Sequence, residues 1–241
     1  MPKIHKVTFN GTASDTLGVF VSGTGSFDSP ELSVTKYDVP GRNGDVVISN
    51  NKYKNITVTY PAFVPGNFSA RVQAIRNWLR GTDSYVELSD DYDTTHFRLA
   101  RVAGGQTFEP VLQNSAANFQ LVFDCKPQRF LTSGKTLTTY STGATISNGT
   151  QFVAYPVFEA TNTTGSATIK IVNSLGTFQL SANTGLIATI TIDCESQNIY
   201  YGSTNRNSTW SGSFPVLAPG TNTLTFSGVG TLKMATRFWE L

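Results

Sequence analysis

Ile56-Thr57-Val58-Thr59-Tyr60 sets an apolar residue against threonine at every second position. That is the period of a strand with one face buried and the other wet. The same alternation returns in Phe119-Gln120-Leu121-Val122-Phe123 and in Ala188-Thr189-Ile190-Thr191-Ile192. Shorter runs at residues 19–21, 97–102, 168–172, 224–226 and 232–234 repeat it, and turn pairs such as Asn148-Gly149 and Pro219-Gly220 stand between them. Many short strands punctuated by turn residues predict antiparallel sandwiches and argue against a βαβ fold.

One segment breaks this rhythm. In Ser69-Ala70-Arg71-Val72-Gln73-Ala74-Ile75-Arg76-Asn77-Trp78-Leu79-Arg80, Val72, Ile75 and Leu79 fall on one helical face with Trp78 beside them. Asn67 or Ser69 is placed to cap its start and Gly81 to stop its end. The pattern predicts a helix of about three turns lying on a sheet, with Trp78 and Leu79 as core packing. Further on, Lys126-Pro127-Gln128-Arg129-Phe130 carries a proline expected to end the 119–125 strand. The chain divides there into residues 1–128, β-rich with one helix, and residues 129–241, all β.

A different kind of signal lies in Tyr37-Asp38-Val39-Pro40-Gly41-Arg42-Asn43-Gly44-Asp45-Val46-Val47-Ile48. Asn43-Gly44 supplies the two positive-φ positions of a tight type I′ hairpin turn. Pro40 and Gly41 break the first arm, so the tip is expected to project from the fold. Val39, Pro40, Gly41, Arg42, Asn43, Gly44 and Asp45 are therefore the candidate contact residues toward another chain. Arg42 is placed to pair with a carboxylate across an interface, and Asp45 to satisfy turn amides.

Composition removes several functions. Of 241 residues, 14% are charged and the net charge is +2, against about 25% charged in ordinary soluble domains. Without a Lys/Arg cluster, nucleic-acid binding has no electrostatic footprint. No run reaches membrane-span length, and Met1-Pro2-Lys3-Ile4-His5-Lys6-Val7 lacks a signal peptide's apolar core. Synthesis and folding in a cytoplasm are expected, with Cys125 and Cys194 as buried free thiols. Two cysteines and two distant histidines do not make a structural zinc site.

Enzymatic chemistry finds no purchase either. His5 and His96 accompany no Gly-x-Ser-x-Gly elbow, and Cys125 has no recognisable catalytic partner. Asp90-Asp91-Tyr92-Asp93 lacks the spacing and central glycine of a calcium loop and reads as a solvated acidic turn. Gly23-Thr24-Gly25 and Gly104-Gly105 lack the Lys-Ser/Thr of a phosphate loop. The expectation is no enzyme, no cofactor and no metal.

The Val39-Pro40-Gly41-Arg42-Asn43-Gly44-Asp45 run, followed by Tyr53-Lys54-Asn55-Ile56, resembles the distal tail proteins of long-tailed bacteriophages. Further fragments are similar and occur in that family's order. They are Val7-Thr8-Phe9-Asn10-Gly11, Leu17-Gly18-Val19, the Trp78-Leu79 helix end and Phe123-Asp124-Cys125-Lys126-Pro127. Tyr155-Pro156-Val157-Phe158, Ile192-Asp193-Cys194-Glu195, Phe214-Pro215, Pro219-Gly220-Thr221-Asn222 and Arg237-Phe238-Trp239-Glu240-Leu241 continue the series.

The resemblance implies a mainly β protein: an N-terminal belt domain with one helix and a projecting hairpin arm, then a C-terminal galectin-like β-sandwich. It implies a homo-hexameric hub at the distal end of the virion tail, assembled in the host cytoplasm. Its expected partners are the tail-tube protein, the tail-associated lysin or tail-fibre protein and, in some phages, a receptor-binding protein. At 241 residues the chain resembles the short form, without an inserted carbohydrate-binding module.

The alternative is a carbohydrate-binding module for host cell-wall glycan. Asn205, Arg206 and Asn207 would meet hydroxyls and Trp210 would offer a stacking face. No histidine follows His96, which departs from the sugar-binding galectin pattern. Another ring-forming reading, a tail-tube subunit, predicts a single domain.

Overall fold

The computed structural model describes residues 4–23, 25 and 28–241. The chain forms two compact units, Met1–Arg129 together with Leu241, and Phe130–Glu240. Nearly all regular structure is antiparallel β, as the alternating runs require.

The first unit contains β1 (Val7–Phe9), β2 (Thr12–Ala13), β3 (Phe20–Val21), β4 (Leu32–Tyr37), β5 (Val46–Tyr53) and β6 (Ile56–Val64). Helix α1 (Phe68–Arg80) follows, then β7 (Val86–Asp90), β8 (His96–Val102), β9 (Phe108–Val111) and β10 (Ala116–Leu131). Its main sheet runs β2-β1-β7-β8-β10-β6-β3, with β9 also on β10. The alternation read at residues 56–60 extends along β6, where Val58, Tyr60, Ala62 and Val64 are buried. They sit opposite Phe123, Leu121, Phe119 and Ala117 of β10. One face of the sheet is thus a continuous apolar layer.

Helix α1 closes that layer with Phe68, Ile75, Trp78 and Leu79. Burial of each large side chain contributes about 1.5–3 kcal/mol. The helix ends differ from the sequence expectation. Asn67 occupies the N-cap position in left-handed backbone, and neither it nor Ser69 makes a side-chain capping bond. The first helical amides are satisfied from the β9–β10 turn instead: Phe68 N donates to Ser115 O at 2.8 Å and Ser69 N to Asn114 O at 3.3 Å. Gly81 is right-handed rather than a left-handed stop.

Pro127 does not end its strand either. β10 continues through it to Leu131, and the boundary between units falls inside this strand. Pairing with β6 finishes at Cys125↔Ile56, so the missing proline N–H removes nothing from that ladder.

The second unit begins with β11 (Thr138–Tyr140), β12 (Ala144–Asn148), β13 (Val157–Thr163), β14 (Thr168–Asn173), β15 (Gly176–Ala182) and β16 (Leu186–Asp193). It continues with β17 (Asn198–Tyr201), β18 (Thr204–Asn205), β19 (Trp210–Gly212), β20 (Gly220–Ser227), β21 (Thr231–Ala235) and β22 (Trp239–Glu240). One sheet runs β11-β21-β13-β16-β17-β18 and the other β12-β20-β14-β15-β19. Phe158, Ile190, Ile192 and Met234 of the first share a core with Ile169, Ile171, Leu180 and Leu224 of the second. This is a two-sheet sandwich, in keeping with the C-terminal β-sandwich that the family resemblance implies.

Candidate assembly interface

Among the described residues, strands β4 and β5 pair only with each other. Their register runs from Tyr37↔Val46 through Lys36↔Val47 and Thr35↔Ile48, with an irregularity between Leu32 and Val34. No residue from Leu32 to Tyr53 is buried. Tyr37, Val47 and Ile48 are each more than half exposed, and Val39 and Leu32 are also open. Apolar strand residues without a core on either face are unusual, because an isolated two-stranded hairpin is marginally stable in water. Lys54 ties the base, donating its amide to Glu31 O at 2.9 Å and its ammonium to Glu31 Oε2 at 3.0 Å.

The tip departs from the expected tight turn. Residues 38–45 form an eight-residue connection between Tyr37 and Val46. Positive φ occurs at Gly41 and Gly44, both +81°, and not at Asn43. Without two consecutive left-handed residues no type I′ turn forms, and the chain takes a wider loop. Arg42 N donates to Val39 O at 3.1 Å. Asp45 bonds no turn amide, contrary to its expected role. The side chains of Asp38, Arg42 and Asp45 are uncommitted among the described residues. Sequence reasoning carried the arm as far as Val47 but missed the flanking Tyr37 and Ile48, whose exposure depends on no described residue covering the strands.

The acidic turn 90–93 is not the solvated feature its composition suggests. Asp90 Oδ2 accepts from the Tyr60 hydroxyl at 2.6 Å, and its Oδ1 accepts the amides of Tyr92 and Asp93. Asp91 Oδ1 lies 2.9 Å from His5 Nδ1 and accepts from Lys6 N. Asp93 accepts from the Thr95 amide and hydroxyl and contacts His96 and Arg129. Burial alone would raise the Asp93 pKa, but the Thr95 and His96 bonds outweigh it and hold the carboxyl well below the usual range. Each carboxylate is spent inside the fold. Among the described residues no cluster of His, Cys, Asp or Glu could hold a metal. The Cys125 thiol is pushed up to about 12, chiefly by burial, which keeps it protonated at neutral pH.

In the second unit the structure places Asn205, Arg206, Asn207 and Trp210 around one turn but does not build a sugar platform from them. Trp210 is 7% exposed and belongs to the sandwich core. Asn207 Oδ1 accepts the Ile199 amide at 2.7 Å, and its Nδ2 donates to Gln197 O and Asn198 Oδ1. Asn205 Oδ1 accepts the Asn207 amide at 2.9 Å. Arg206 N donates to Ile199 O at 2.7 Å. The Asn205 and Asn207 side chains and the Arg206 main chain hold the turn together, and the ring offered for stacking is inside.

Residues 149–240 match the family model described as siphovirus-type tail component, C-terminal domain. No curated protein matches the chain. Among solved structures, the Dit protein of phage SPP1 superposes with a TM-score of 0.72 at 12% identity, covering 96% of this chain and 98% of that one. That protein is described as a paradigm of the hub adsorption apparatus in phages infecting Gram-positive bacteria. A chain of the phage p2 baseplate, in its activated conformation with strontium, matches with a TM-score of 0.62 at 9% identity over 96% of both chains. The calcium form gives 0.61 at 8% identity over 97% of both. Residues 149–240 are thus similar to the C-terminal domain of the siphovirus-type tail components, and the chain as a whole shares the fold of the SPP1 Dit protein.

Proposed function

We propose that this protein is a structural hub of a phage tail tip. Six copies close a ring through the first unit, and that ring joins the tail tube to the tail-associated lysin or fibre protein beneath it. It is assembled in the host cytoplasm and resides at the distal end of the virion tail. The second unit is an anchoring sandwich, onto which a receptor-binding protein docks in phages that carry one.

The observation that carries this reading is the β4–β5 arm. Its strands bury nothing, yet they present Tyr37, Val39, Val47 and Ile48. A closed ring of identical chains needs one surface of each copy to meet a different surface of the next. An extended arm with open edges and uncovered apolar side chains is a fitting half of such a contact.

The test is the mass and shape of the purified protein by light scattering and negative-stain microscopy. The expected particle is a six-membered ring with a central channel. Deleting residues 40–45 should leave folded monomers that do not close. Rings of normal size from that deletion would refute the arm's role.

A further inference from the structure

The first unit holds a groove of about 470 Å³ between helix α1 and the segment joining β8 to β9. Gln73, Arg76, Asn77 and Arg80, at successive i, i+3, i+4 and i+7 positions, line one wall. Gln106 and Phe108 stand on the other wall. The Arg76 guanidinium lies 5.8 Å from the centre of the Phe108 ring, which orients one cation at the groove. Neither Arg76 nor Arg80 makes an ion pair among the described residues. Both amide atoms of Gln106 are buried and have no hydrogen-bond partner among the described residues.

These groups specify a ligand. Two unpaired arginines are the complement of carboxylates. The groove therefore fits an extended peptide that carries acidic side chains. The arm tip has that character: residues 38–45 include Asp38 and Asp45 with free carboxylates, and Arg42 as the single cation. Arm and groove are different surfaces of the same unit, as a head-to-tail ring contact requires.

We infer that the tip of one copy's arm, residues 38–45, seats in the Arg76–Arg80–Gln106 groove of a second copy. This rests on the arm being the ring-forming element and names the surface that receives it. Asp38 and Asp45 face the two guanidinium groups, and Arg42 points away from the groove.

The test uses the full chain. Asn43→Cys on the arm of one preparation and Asn77→Cys in the groove of another are mixed under mild oxidation. A mixed disulfide dimer is expected, and it requires a single contact rather than a closed ring. Cys125 and Cys194 are buried and do not compete. Arg76→Glu with Arg80→Glu should lower the self-association constant about tenfold or more. Asp38→Arg with Asp45→Arg in the partner copy should restore it.

If deletion of residues 40–45 abolishes association while the mixed disulfide fails and the arginine reversals associate normally, the arm grips another surface and this pairing is wrong. If the deletion leaves rings intact, the arm reading itself falls.

Discussion

The indole Nε1 of Trp78 donates to the main-chain carbonyl of Phe9 across 3.1 Å, tying helix α1 to strand β1 inside the core of the first unit. The two rings also meet edge to face, with centroids 6.3 Å apart. The residue therefore contributes both volume and a directed bond. Trp78→Phe keeps much of the volume and removes the donor, and should cost about 1–3 kcal/mol. Trp78→Ala adds a cavity and should cost about 3–5 kcal/mol. Urea unfolding followed by circular dichroism measures both. A Trp78→Phe protein as stable as the parent would show that the bond to Phe9 is dispensable.

In the second unit the comparable position is Asn222, which is fully buried. Its Oδ1 accepts the Ala218 amide at 2.8 Å and the Asn173 side chain at 2.9 Å. Its Nδ2 donates to the carbonyls of Ala218, Gly220 and Ile146. One carboxamide thus closes the turn before β20 and ties it to β12. Asn222→Leu leaves several of these groups buried without partners and should cost about 3 kcal/mol or more. Asn222→Asp keeps the shape but aims a carboxylate at three carbonyls, so it should be no milder. Retention of the parental melting temperature in either variant would contradict this account.

Strands with one face in a core were legible because burial imposes the period of two. Val58, Tyr60, Ala62 and Val64 alternate in the sequence and in the structure alike. Helix α1 was legible from its apolar stripe, but its N-terminal partners were not, since Ser115 and Asn114 reach it only through the tertiary fold. The arm was legible as a hairpin, while its turn was misread. Asn43-Gly44 matches a local preference, and the eight-residue loop fixed by the Tyr37↔Val46 register overrides it. The groove was not legible at all. Arg76 and Arg80 lie outside the apolar stripe that marks the helix in the sequence, and only packing brings Gln106 and Phe108 against them.

Asp93 makes an acid-sensitive joint between the 90–96 turn and Arg129. Its folded pKa lies below the unfolded value of about 3.9, so its stabilising contribution is present above about pH 4 and fades as pH falls further. Asp93→Asn should destabilise the protein at neutral pH. The two stability curves should then converge on acidification, because the parent loses the charge that the variant never had. Curves that stay parallel between neutral pH and about pH 3 would remove Asp93 from the acid response.

Both cysteines are free and buried. Burial pushes the Cys125 thiol up to about 12, and burial together with the Asp193 carboxylate raises Cys194 as well. Neither presents a thiolate at neutral pH. A thiol reagent should find no fast-reacting group in the native protein and two after denaturation in guanidinium. Non-reducing electrophoresis should show the same mobility with and without reductant. Rapid native labelling of either cysteine would mean that its unit opens on the timescale of the reaction.

Leu112 stands at the tip of the β9–β10 turn with φ +52°, followed by Gln113 at +52° and Asn114 at +66°. A left-handed conformation costs a residue bearing a large side chain about 1–2 kcal/mol, and Leu112 is 76% exposed, so little burial offsets it. The turn is nonetheless held from both sides. Leu112 O accepts the Ser115 amide at 3.1 Å, and the next two carbonyls that face α1, those of Asn114 and Ser115, receive the helix's first amides. Leu112→Asn supplies a residue that tolerates the left-handed region without glycine's added unfolded-state entropy. It should stabilise the first unit by about 0.5–1 kcal/mol, seen as a rise in melting temperature with unchanged secondary structure. A lower melting temperature would mean that the leucine side chain is anchored against the protein and that its exposure is not the resting state in solution.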